Sequence, residues 1–177
     1  MKKKTLSATI LALVMILSLV PTAFAAEPQE QRTEEIISHS VNWVEPNKRV
    51  EVTEYDLGDG FTATETVVDK YTVGLTRASG TKEQTSTYEL KHSGKVAATV
   101  TAKGKFSYDG NEAIVVSSSC SRTVKSGYTE TQWSTSSQNS SFWTGSARVT
   151  AILMVEHDDT GRSITGVAEV TCSKDGK

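Results

Sequence analysis

After Arg49, apolar and polar residues alternate with a period of two through most of the chain, and this alternation predicts β-strands. The longest run is Lys95–Tyr108, where Val96, Ala98, Val100, Ala102, Phe106 and Tyr108 alternate with Lys95, Thr99, Thr101, Lys103, Lys105 and Ser107. One face is apolar and the other basic and hydroxylated, as expected of an antiparallel strand with one side in water. Gly104 falls on the apolar face, which marks a bulge or a point of close approach. Asp109-Gly110-Asn111 predicts a hairpin turn, and the return strand places Ile114, Val116, Ser118 and Cys120 on one face. Upstream, Tyr88 and Leu90 alternate with Glu89 and Lys91 before the turn His92-Ser93-Gly94. These three segments predict a meander.

Two further stretches complete the pattern. Ala147, Val149, Ala151, Leu153 and Val155 share a face, His157–Gly161 turns the chain, and Ile164, Ala168, Val170 and Cys172 share the inward face of a closing strand. Near the start, Val50 and Val52 lead into the Gly-rich turn Asp56–Gly60, and Phe61–Val68 returns. About seven or eight strands without a convincing long helix predict an all-β fold, an antiparallel β-sandwich or a partly open barrel. Ala26–Lys48 stands apart as an acidic, polar arm. Ile37, Val41 and Val44 there have the spacing of a short docked helix, although a loosely ordered segment is expected at a new N-terminus. Cys120, Trp133 and Cys172 follow the order of an immunoglobulin domain. Only Ser173–Lys177 follow the second cysteine, too little for the strand that fold requires, and the match is rejected.

The first 25 residues change the picture from fold to location. Lys2–Lys4 form a basic head, Leu6–Val20 is apolar and uncharged, and Ala23-Phe24-Ala25 is a small-x-small cleavage signal. This is the pattern of a secretory signal peptide, too short in its apolar part for a typical membrane span. Three units are therefore expected: a signal peptide over 1–25, the arm over 26–48 and a β domain over 49–177. No span is expected after cleavage. Loss of the three lysines leaves 16 basic against 21 acidic side chains, a net charge of −5 that argues against a general nucleic-acid binder. Export also places Cys120 and Cys172 in an oxidising compartment. On that ground a disulfide between them is favoured over a metal site or two free thiols, and both fall in phase with the apolar residues of their strands, which supports a buried bridge.

The Tyr88–Lys91 strand, the hairpin Gly104-Lys105-Phe106-Ser107-Tyr108-Asp109-Gly110 and the ending Val170-Thr171-Cys172-Ser173-Lys174-Asp175-Gly176 resemble a group of small exported proteins of Gram-positive bacteria. Members pair a signal peptide and an acidic spacer with a Ser/Thr-rich β domain carrying two cysteines. The resemblance spans about residues 50–176 and implies location and fold, not chemistry.

Catalytic signatures are missing from the sequence. Gly161-Arg162-Ser163-Ile164-Thr165 stops short of a nucleophile elbow, and no H-E-x-x-H, P-loop or G-x-G-x-x-G occurs. His157-Asp158-Asp159 and Asp56-Leu57-Gly58-Asp59-Gly60 hold potential metal ligands, but each reads more simply as a turn, so no metal and no cofactor are expected. Lys91, Lys95, Lys103 and Lys105 are expected on the wet face, where they would attract an anionic cell-wall polymer or merely solubilise the sheet. Ser134–Ser141 contains only Ser, Thr, Gln and Asn, flanked by Trp133, Phe142 and Trp143. Aromatic rings beside hydroxyls and amides suit a carbohydrate, whereas the plainer reading is a hairpin whose aromatics enter the core. The expected function is a secreted, non-catalytic binding or interaction domain, with a cell-surface or glycan ligand in view. A secreted hydrolase of cell-wall polymers and a toxin-like antagonist are the alternatives.

Overall fold

The structure is a computed structural model that describes residues 35–73, 79–141 and 145–177. The signal peptide expected over 1–25, the first part of the arm, Phe142 and Trp143 lie outside these residues. Among the described residues, nine strands form two antiparallel sheets that do not close into a barrel. β1 (Glu35–Glu45), β2 (Lys48–Gly58), β3 (Phe61–Val73), β4 (Gly80–His92), β5 (Lys95–Tyr108) and β6 (Ala113–Val124) make a six-stranded meander in chain order. β7 (Tyr128–Gln138), β8 (Ser146–His157) and β9 (Ser163–Ser173) make a three-stranded one.

The small sheet packs on β4, β5 and β6, so the large sheet extends beyond it on the β1 side. The core lies between the layers. Leu90, Val100 and Phe106 meet Val149, Leu153, Val155 and Val170, all at most 3% exposed. Small residues set how closely the sheets approach. A Cβ on Gly104 would lie 2.6 Å from the Phe106 ring and 3.0 Å from Val170 Cγ2, and one on Gly166 would lie 3.1 Å from Tyr88. Gly104 is thus the close-approach point that its place on the apolar face predicted.

Three expectations are corrected, two of them by bulges. A register shift between Leu90 and Lys91 pairs Leu90 with Ala98 but Lys91 with Val96 and His92 with Lys95. Val96 therefore leaves the apolar face, and Lys95 points to the side opposite Lys91, Lys103 and Lys105. A second shift pairs Phe106 with Val115 and Lys105 with Ser117, so Ala113 and Val115 face inward with Ser118 and Cys120. Ile114 and Val116, expected inside, are exposed. The third concerns the arm, for residues 35–45 are neither the loosely ordered segment expected there nor a short helix. They are edge strand β1, whose two register shifts bracket Ile37 and Val44.

A buried polar cluster ties the layers together. Asp69 on β3 is 1% exposed and accepts from Arg49 Nε and Nη2 at 3.0 and 2.7 Å, from Tyr71 at 3.2 Å and from Gln84 Nε2 at 2.6 Å. Lys82 Nζ stands 3.6 Å from Asp69 Oδ1 and donates to the Thr171 carbonyl at 2.9 Å. The Thr171 N–H donates to Gln84 Oε1 at 2.6 Å. Side chains of β4 thereby occupy the free edge of β9, where exposed main-chain groups would otherwise invite another strand.

Candidate functional site

At the opposite margin the sheets part. β6 and β7 follow one another through the tight turn Lys125–Gly127, yet they belong to different sheets and are not paired. Their inner faces are polar. Ser118, Cys120 and Arg122 continue the inward phase of β6, in register with Gly104, Ala102 and Val100. Trp133, Thr135 and Ser137 take the inward phase of β7, opposite Leu153, Ala151 and Val149. Hydroxyl-bearing strands this far from the core midline do not fill the gap between the layers, and a cleft of about 350 Å³ remains.

Both ends of the cleft are fastened. Towards the β6–β7 turn, the Arg122 guanidinium lies over the Trp133 ring at 4.6 Å and its Nε donates to Glu130. Towards the other end, Asn139 Oδ1 accepts from Val115 N–H and Ser140 Oγ from Ala113 N–H, both at 2.8 Å, while Ser140 N–H donates to the Ala113 carbonyl at 2.9 Å. Between these fastenings, Ser118, Thr135 and Ser137 turn their hydroxyls inward around Cys120, Trp133 and Val149, and Ser119 and Ser136 border the cleft from the outward phase. Burial pushes the Cys120 thiol above its ordinary value, which keeps it protonated and a poor nucleophile. A hydroxyl both donates and accepts, so this lining pairs with neutral polar groups of either sense.

Trp133 therefore sits where the cleft is, but not as an open platform. It is half-buried, packs against the core and has Arg122 across its ring. The other two members of the aromatic group, Phe142 and Trp143, lie outside the described residues. Nor do the four lysines form one field. Lys91 pairs with Glu89 at 3.2 Å and Lys105 with Glu83 at 3.1 Å. Lys91 stands roughly 20 Å along the strands from Lys103, taking about 3.3 Å per residue. Lys103 and Lys105 do share a second depression, of about 390 Å³, with Thr85 and Ser117–Ser119. Ser118 and Ser119 border both concavities.

The cysteines do not meet. Both thiols are free in the structure, and the expected bridge is not formed. Cys120 lines the cleft beside Trp133 on the β6–β7 margin, whereas Cys172 lies on the opposite margin on β9, within the field of Lys82 and Asp69. Phase with apolar neighbours fixes the face of a strand, not its lateral place in the sandwich.

His92 and His157, which the sequence places in turns, join the layers at the far end. His92 stacks on Phe61 at 4.1 Å and its Nδ1 lies 2.9 Å from the Tyr128 hydroxyl, while the His157 ring is 5.0 Å from His92. Arg162 lies over Phe61 and donates to Asp59 and to the Leu57 and Gly58 carbonyls. This uses the Asp56–Gly60 segment as a turn, and Asp158 likewise accepts from Thr129 at 2.8 Å. Among the described residues no three His, Cys, Asp or Glu side chains are grouped to hold a metal ion. No family model, curated protein or solved structure matches the chain.

Proposed function

We propose that the exported chain is a non-catalytic binding domain that holds a hydroxyl-rich ligand, a glycan in the first instance, in the cleft between β6 and β7. The observation that carries this reading is a concavity fastened at both ends, into which the strand phase turns the hydroxyl side chains of Ser118, Thr135 and Ser137 beside one indole and one thiol. Its volume falls within the range of small-ligand sites. Glycosidases need two carboxylates flanking the bond they cut. Here the neighbouring carboxylate, Glu130, is held by Arg122 on the far side of Trp133. The basic, apolar and small-residue order of the first 25 residues supports an extracellular setting.

A second reading, an anionic cell-wall polymer, draws on the adjoining depression with Lys103 and Lys105. Titration calorimetry against neutral and phosphate-bearing glycans separates the two. Ser118→Phe, which fills the cleft, is expected to weaken a neutral glycan by tenfold or more. Lys103→Ala should change only a binding that weakens with salt. A glycan that binds Ser118→Phe as well as the parent would remove the cleft from consideration. Turnover of a polymer would replace binding by the hydrolase reading, and growth inhibition of neighbouring cells by the antagonist reading.

A further inference from the structure

All eleven residues of β1 are exposed, and five of the eight exposed large apolar residues among those described lie on this one strand. Ile36, Val41 and Trp43 share the inner side of the large sheet with Arg49, Glu51, Thr53 and Tyr55 of β2, as the register requires. This is the side on which β7–β9 pack, but those strands pack on β4, β5 and β6, and among the described residues none buries β1. A sheet face rich in apolar side chains is stable when a second layer covers it. Among the described residues that layer does not reach β1.

We propose that a second copy of this chain supplies it, the inner faces of the two β1–β2 hairpins packing on each other across a two-fold axis. Three observations select this occupant. The polar groups of the face are already matched within the chain: Arg49 pairs with Asp69 and Glu51 at 2.7 and 3.5 Å, and His39 Nδ1 lies 3.0 Å from Thr53 Oγ1. An identical surface therefore meets little uncompensated charge when it approaches. The exposed parts of Ile36, Val41 and Trp43 amount to about 250–350 Å² per copy, taking aromatic and aliphatic side chains at their usual areas. Two copies then bury about 1,000 Å² with the exposed parts of His39, Arg49 and Glu51 on the same face included, the lower bound for a specific interface. Finally, the free edge of β1 is unsuited to strand addition. Register shifts lie near both ends, and Glu35 and Glu45 stand at its limits. Contact is thus by the face and isologous, which closes at two copies.

Sedimentation equilibrium of the mature chain, free of its first 25 residues, tests this. A monomer–dimer equilibrium in the micromolar range is expected. Val41→Lys and Trp43→Lys, at exposed positions and with unchanged circular dichroism, should each raise the dissociation constant tenfold or more. Ser40→Lys, on the opposite side of the same strand, should leave it unchanged. A chain that stays monomeric well above micromolar concentration overturns the proposal. So does a dimer indifferent to Val41→Lys and Trp43→Lys, or one dissolved by Ser40→Lys. Open-ended assembly overturns it too, because a closed pair cannot grow.

Discussion

Gln84 and Thr171, 87 positions apart, are joined by a 2.6 Å hydrogen bond in which the main-chain N–H of an edge strand donates to a side chain of the opposite sheet. Gln84 passes the link on through its own amide to Asp69, and Lys82 repeats it at the Thr171 carbonyl. One strand edge is thus closed by side chains rather than by a neighbour. Asp69→Ala removes the acceptor and leaves Lys82, 2% exposed, without its counter-charge. Urea unfolding is expected to show a loss of about 3–5 kcal/mol. The double variant Asp69→Leu, Lys82→Met should lose less than Asp69→Ala alone, since no buried charge is left unpaired. A larger loss would show that the pair stabilises beyond the cost of desolvating it.

Tyr71 gives this cluster a pH dependence. Burial, and next the negative charge of Asp69, push its phenol up to about 12 from the ordinary 10.0. The unfolded chain therefore releases this proton at lower pH than the folded one. The contribution is complete below pH 10.0 and is lost as pH rises through about 12. Tyr128, raised by burial, acts in the same sense. Unfolding followed across the alkaline range should show stability falling with pH, with a shallower fall in Tyr71→Phe. Equal slopes in the two proteins would remove Tyr71 from the effect.

The free thiols make a third expectation. Cys172 is fully buried and Cys120 half-buried, and burial raises both thiols. Native protein should titrate one thiol slowly, absent in Cys120→Ser, and a second only in denaturant. Filling of the cleft by ligand should slow the first. Absence of both thiols in unreduced, denatured protein would show the cysteines bridged, and with it a different placement of β6 against β9.

Arg122 and Trp133 make a fourth. Loss of the guanidinium over the ring is expected to cost Arg122→Ala about 0.5–1 kcal/mol and to expose the indole. Its emission should shift to the red, read against Trp133→Phe to isolate this residue. Unchanged emission would place the ring's environment outside the reach of Arg122.

Much of this architecture was legible in the alternation of residue types. Leu90, Val100, Phe106, Val149 and Val170 are buried as the period of two required. What the alternation hid were its own interruptions. In β1 the out-of-phase residues Ile37 and Val44 turned a strand into an apparent helix, since Ile37, Val41 and Val44 mimic i, i+4, i+7. In β6 the extra residue near Val116 exchanged which apolar side chains face inward. A bulge leaves no reliable mark in composition. Asp69, Lys82 and Gln84 were hidden differently. They occupy inner positions, but charged and amide residues at such positions read as solvent-facing until partners from other strands are known. Trp133 was found by its composition-rich surroundings, whereas Ser118 and Cys120, which face it from β6, share no local signal with it.

The meander has a consequence for how the chain reaches this state. Each strand of the large sheet pairs with the strand just made, so the sheet can lengthen one hairpin at a time with short loops to close. The small sheet is built in the same way. The links from Lys82 and Gln84 to Thr171 span 89 and 87 positions and require both sheets to exist first. Docking of the layers therefore closes the longest loops, and a chain arrested before it would carry an unshielded β9 edge. The buried cluster would then matter most in the last moments of maturation, as the catch that ends a vulnerable interval.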